Sequence, residues 1–149
     1  MKRFHLQSVL EYRQSLEEEA QREFSELQSN LVREVELGSR IQGQIAAWQE
    51  KFRGRQHQSI YSAEIDLYQK FLSFLTDEAA RQREKIRSLE LAVEEKRQIL
   101  LEARKEKKIM DRLKEKTLSL WEKEMLKEEQ KTLDERAIRR GRRILNDER

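Results

Sequence analysis

The sequence predicts an all-α protein: an antiparallel two-helix coiled-coil hairpin whose C-terminal helix is longer and overhangs the first. Three observations predict it. An apolar heptad runs from Tyr61 to Ala103, the only convincing break lies at 53–60, and no proline occurs in 149 residues. The composition agrees. At 41% charged and 36% hydrophobic, the chain has too little apolar residue for a round core and too much helical periodicity for disorder. We therefore expect a single, elongated coiled-coil domain over 1–149, with helix 1 at about 4–52, a turn at about 53–60 and helix 2 at about 61–145.

The first helix carries Leu6, Val9, Leu16, Ala20, Phe24, Leu27, Leu31, Ile41, Ile45, Trp48 and Phe52. From Ala20 onward these follow heptad spacing, with Glu34 and Gly38 in two slots. Leu16, Ala20 and Phe24 make two successive four-residue steps, a local departure that unwinds a supercoil slightly. Gly38 and Gly43 each cost about 1 kcal/mol relative to alanine inside a helix. Gly38 is either a weak spot or room for a large residue opposite. Gly54 is placed to end the helix in a left-handed conformation, and Ser59 or Ser62 to cap the next one.

The second helix carries the longest repeat: Tyr61, Ile65, Tyr68, Leu72, Leu75, Ala79, Gln82, Ile86, Leu89, Val93, Lys96, Leu100 and Ala103. Folding the hairpin about residue 56 or so pairs Phe52 with Tyr61, Trp48 with Ile65, and Gly38 with Leu75. It also sets Leu31 over Gln82, Leu16 near Lys96, and Val9 on Ala103. The first helix is then used up near residue 107, where lysines enter the seam as Lys107 and Lys114. No proline or glycine stops helix 2 before Gly141. The overhang carries Met110, Leu113, Leu118, Leu120, Trp121, Met125, Leu126, Leu133, Ala137 and Ile138, with no partner inside the chain in this register.

Catalytic chemistry finds little to work with. His5 and His57 lie far apart and lack metal-ligand spacing, and both read as solvated residues. Glu17, Glu18 and Glu19 project in different directions from one helix, with no cleft to shift a carboxyl pKa. We expect no enzyme activity, no metal, no cofactor and no small-molecule substrate. The net charge of +3 names no partner, and the absence of cysteine fits a reducing compartment. No apolar run is long enough to span a bilayer. The opening Met-Lys-Arg-Phe-His-Leu lacks a signal-peptide core, so a cytoplasmic location is expected.

Binding is the better class, and four features carry it. The basic run Arg104, Lys105, Lys107, Lys108, Arg112, Lys114 and Lys116 is interrupted by Glu106, Asp111 and Glu115, which favours a solvated face. The tail Arg136, Arg139, Arg140, Arg142 and Arg143 suits an acidic surface or nucleic acid, or is a frayed terminus. Trp121 is either an interface anchor or shielded by lysine stems. The aromatic set Trp48, Phe52, Tyr61, Tyr68, Phe71 and Phe74 exceeds what two stripes can bury. Phe71 and Phe74 either thicken the hairpin or form an exposed patch.

Three segments resemble the flagellar export protein FliJ family. They are Phe4-His5-Leu6-Gln7-Ser8-Val9-Leu10-Glu11-Tyr12-Arg13, Tyr68-Gln69-Lys70-Phe71, and Gln130-Lys131-Thr132-Leu133-Asp134-Glu135-Arg136-Ala137. The resemblance implies a non-enzymatic component of the flagellar type III export apparatus, peripheral to the membrane export gate. It implies a stalk-like coiled coil that binds the hexameric export ATPase and promotes its turnover, contacts the export-gate membrane protein and helps recycle export chaperones. By the same resemblance, gate contacts fall at Ile41, Ile45, Trp48, Phe52, Tyr68, Phe71 and Leu75. Trp48 and Phe52 stand where the family often has tyrosine. ATPase-ring contacts fall at the overhang end, at Met110, Leu113, Trp121, Gln130, Lys131, Asp134, Glu135, Arg139 and Arg140. Rival readings are the stalk of a virulence secretion system, a generic nucleic-acid-binding adaptor and a structural homodimer. The hairpin register favours a monomer when free, and nucleic acid has only the arginine tail in its favour.

Overall fold

A computed structural model describes residues 4–55 and 61–149. Two helices, α1 (Gln7–Arg55) and α2 (Ser62–Asp147), pack antiparallel, and no strand occurs among the described residues. The all-α coiled-coil hairpin expected from the heptads is therefore the fold.

The helix ends follow local chemistry. The Gln7 amide donates to the Phe4 carbonyl at 3.0 Å as α1 begins. Its last turn carries Arg53 and Arg55, cations at the negative end of the helix dipole. Gly54 does not end α1. No described glycine has a positive φ, and the helix runs on to Arg55. A glycine between two arginines costs about 1 kcal/mol of helix propensity, which a long packed helix absorbs. At the start of α2 the Tyr61 carbonyl accepts from Glu64 at 3.0 Å and Ile65 at 3.2 Å. Tyr61 therefore holds the cap position and Ser62 is the first helical residue. Ser59 and the centre of the expected turn lie outside the described residues. Glu64, in the first turn, complements the dipole there.

The chain divides into two units: Glu17–Ala103, and Met1–Leu16 with Arg104–Arg149. In Glu17–Ala103 the seam residues of α1 are Ala20, Phe24, Leu27, Leu31, Glu34, Gly38, Ile41, Ile45, Trp48 and Phe52. All are buried or half-buried except Trp48, at 38% exposed. On α2 the seam runs Ile65, Tyr68, Leu72, Leu75, Ala79, Gln82, Ile86, Leu89, Val93, Lys96, Leu100, Ala103. Tyr61, expected to begin it, is exposed.

The register differs from the expected one by about one heptad. Phe52 stacks on Tyr68, not Tyr61, with ring centroids 4.1 Å apart and planes 8° from parallel. Lys96 meets Glu23, not Leu16. Gln82 meets Glu34, not Leu31. Gly38 does make room for a large residue, but that residue is Ile86. A Cβ at Gly38 would lie 3.2 Å from Ile86 Cδ1. A slide of seven residues leaves the apolar stripe in place, so hydrophobic pattern alone cannot distinguish the two registers. The polar seam residues can.

In the other unit, Leu10 is 6% exposed and Val9 37% exposed, so Leu10 takes the seam position expected of Val9. The expected departure around Leu16 is absent. Leu6, Leu10, Arg13, Glu17 and Ala20 keep heptad spacing, and all are buried or half-buried. Arg13, a charged residue in that seam, is ion-paired with Glu106 of α2. Lys107, Met110, Lys114, Thr117 and Trp121 continue the α2 heptad, half-buried. From 122 to 149 every residue is exposed.

Candidate partner-binding surfaces

The aromatic surface lies where α1 ends and α2 begins, within Glu17–Ala103. Trp48 and Phe52 are one helical turn apart on α1, and Tyr68 and Phe71 three residues apart on α2, so all four project to one side. Trp48 meets Phe71 edge-on at 4.8 Å and Tyr68 at 6.5 Å, and Tyr68 stacks on Phe52. Such pairs contribute about 0.5–1.5 kcal/mol beyond their area. Lys51 places its ammonium 5.3 Å from the Trp48 ring centroid.

These rings floor a groove of about 700 Å³, edged by Leu67 and by Arg55 and Glu64, which lie 3.9 Å apart. Phe71 is 39% exposed and Leu67 68% exposed. Phe74 is also exposed, so the excess aromatics form a surface patch as well as thickening the seam. Of the other residues expected here, Ile41 and Ile45 are half-buried and Leu75 is buried in the seam. Lys51 and Leu67 were not singled out in the sequence. Lys51 is signalled by its i+3 spacing from Trp48, Leu67 by being an off-seam leucine beside Tyr68.

At the other set of expected residues, Met110 and Trp121 are half-buried on one α2 face, while Leu113 points off it and is exposed. Trp121 is thus partly covered. Gln130, Lys131, Asp134, Glu135, Arg139 and Arg140 are all exposed. The Gln130 amide donates to Asp134 Oδ1 at 3.1 Å, one turn along the same helix.

The electrostatics concentrate in the seam. Gln82 Nε2 donates to Glu34 Oε2 at 2.6 Å, and Lys85 Nζ sits 3.0 Å from Glu34 Oε1. The Gln82 bond first, then Lys85, hold the Glu34 carboxyl below its ordinary pKa. Glu23, hydrogen-bonded at 2.9 Å, raises the Lys96 pKa. Glu94 is lowered by Gln98 and then Arg97, on its own helix surface. These shifts come from pairing that joins or decorates helices. Among the described residues no group of three or more His, Cys, Asp or Glu side chains could hold a metal. His5 lies against Phe4, ring centroids 5.4 Å apart, and His57 is outside the described residues. Among the described residues no helix is long and apolar enough to cross a membrane.

Two antiparallel helices, with exposed rings within Glu17–Ala103 and an exposed helical segment from 122 onward, define a coiled-coil protein. The model of the flagellar FliJ protein family matches residues 1–145, and the chain belongs to that family. Membership makes it a component of the flagellar export apparatus, in a family that is structural and not enzymatic. No curated protein and no solved structure matches the chain.

Proposed function

We propose that the chain is a non-enzymatic, stalk-like coupling element of the flagellar export apparatus, acting in the cytoplasm beside the export gate. Its aromatic groove engages the export-gate membrane protein. Its C-terminal segment engages the hexameric export ATPase and promotes turnover, and the chain helps recycle export chaperones. The observation that carries this reading is the pairing of an apolar, ring-floored groove with a fully exposed helical segment from 122 to 147. Two unlike surfaces on one chain suit a protein that links two partners.

The test is ATP turnover by the cognate export ATPase with the full chain and with a version ending at Trp121. That cut removes only residues whose side chains lie outside the seam. Stimulation by the full chain and not by the shortened one supports the reading. Equal stimulation moves the ATPase contact elsewhere, and no stimulation by either sinks the ATPase role.

A further inference from the structure

An acid-free basic face runs along α2 from Lys105 to Lys127, within the unit Met1–Leu16 with Arg104–Arg149. At about 100° per residue, Lys105, Arg112, Lys116, Lys123 and Lys127 fall within roughly 60° of arc. Ile109, Leu113 and Leu120 adjoin this row, at about 40–80° from Lys105. All eight side chains are exposed. The acids of the segment lie outside that sector. Asp111, Glu115 and Glu122 fall about 60–100° beyond Arg112 on one side. Glu106 and Glu124 lie at the other edge, about 100° from Lys105, where Glu106 is ion-paired with Arg13. None of the five cations is in an ion pair among the described residues. The half-buried positions Met110, Lys114, Thr117 and Trp121 lie on the opposite side of the helix, so the basic row points away from the seam.

We propose that this face binds an anionic phospholipid surface. Five cations in a straight row about 33 Å long meet a plane at the same time. Four of the five are lysines, which act as compact point charges and lack the fork that recognises one carboxylate. The sector has no aromatic residue, whereas protein interfaces are enriched in tyrosine, tryptophan and arginine and depleted in lysine. Both features suit a diffuse field of headgroups better than a shaped protein partner. Each cation near such a surface contributes about 1 kcal/mol, and the isoleucine and leucines add shallow apolar contact. This goes beyond the coupling role and does not rest on it.

The experiment is flotation of the full chain with vesicles of phosphatidylcholine alone and of phosphatidylcholine with phosphatidylglycerol. The chain is expected to float only with the anionic vesicles and to be released at about 0.5 M salt. The K105E/K116E/K123E variant should lose about 100-fold or more in partitioning. Reversal of Arg22, Arg40 and Arg83, which are exposed positions on Glu17–Ala103, should reduce it far less. Helicity by circular dichroism should be unchanged in both variants. Equal loss from the two triple variants would reduce the effect to net charge and overturn the assignment. So would absent flotation. Retention of duplex DNA or an acidic peptide in place of vesicles, lost with the same lysines, would also overturn it.

Discussion

Gln82 reaches from α2 across the seam and donates its amide to both the backbone carbonyl and a carboxylate oxygen of Glu34, at 2.8 and 2.6 Å. At 8% exposed, this glutamine is the one buried polar residue among the described residues, and both bonds go to one residue of α1. With Glu23–Lys96 and Arg13–Glu106 it fixes which turn of one helix faces which turn of the other. A slide of one heptad would break all three pairs together. A polar seam residue commonly trades stability for register in this way.

Replacing the pair with leucines, E34L/Q82L, should therefore raise the melting temperature while loosening alignment. The chain has no cysteine, so engineered cysteines report cleanly. A short bismaleimide should join cysteines at positions 23 and 96 in the parent, and not those at 16 and 96. In the leucine variant both pairs should cross-link. Cysteines at 23 and 96 themselves remove Glu23–Lys96, so a leucine variant that still joins only 23 and 96 would show that Arg13–Glu106 and the apolar packing suffice.

The same contacts set a pH response. The Glu34 pKa is lowered from 4.5, so its contribution is complete above that value and is lost as pH falls through the folded-state value. The Lys96 pKa is raised from 10.5, so its contribution is complete below that value and is lost as pH rises through the folded-state one. Urea midpoints should fall on the acid side more for the parent than for E34Q. On the alkaline side they should fall more for the parent than for K96Q. Parallel curves for parent and E34Q would remove Glu34 from the acid response.

Gly43 and Gly38 should respond differently to alanine. A Cβ at Gly43 meets nothing within 4 Å, so Gly43→Ala should stabilise by about 1 kcal/mol from helix propensity. Gly38→Ala gains the same propensity but places its methyl 3.2 Å from Ile86 Cδ1 and 3.5 Å from Gln82 Cγ. Its net effect should be smaller, or destabilising if Ile86 cannot shift. Urea unfolding of the two variants side by side decides this.

Leu67 separates docking from folding. It lines the aromatic groove yet is 68% exposed and off the seam. Leu67→Asp should leave the urea midpoint within about 0.5 kcal/mol of the parent. Capture of the cognate export-gate cytoplasmic domain should drop at least about tenfold. Unchanged capture would exclude the groove as the docking site.

The heptad from Ile65 to Ala103 was readable because burial of a narrow stripe demands that spacing wherever two helices pair. The register was less so. The apolar stripe repeats every seven residues, and the distinguishing contacts join Gln82, Glu34, Lys96 and Glu23, whose pairing depends on the alignment being sought. Val9 and Leu10 illustrate a second limit. Both are apolar, and the polar seam residue Arg13 hid the spacing that selects Leu10. Aromatic excess beside the turn was legible as composition, whereas the groove depends on Phe52 stacking on Tyr68, and thus on the corrected register.

Beyond Trp121 no side chain is buried, so residues 122–147 are held as helix by local backbone bonds and short-range pairs such as Gln130–Asp134. Helix of that kind is marginal in water. Its amide protons should exchange with solvent far faster than those of the seam between Ala20 and Leu100. A partner that grips this segment must pay for its ordering out of its own contact energy. The grip is then weaker than its area suggests and quickly released, which suits reversible contact better than permanent attachment.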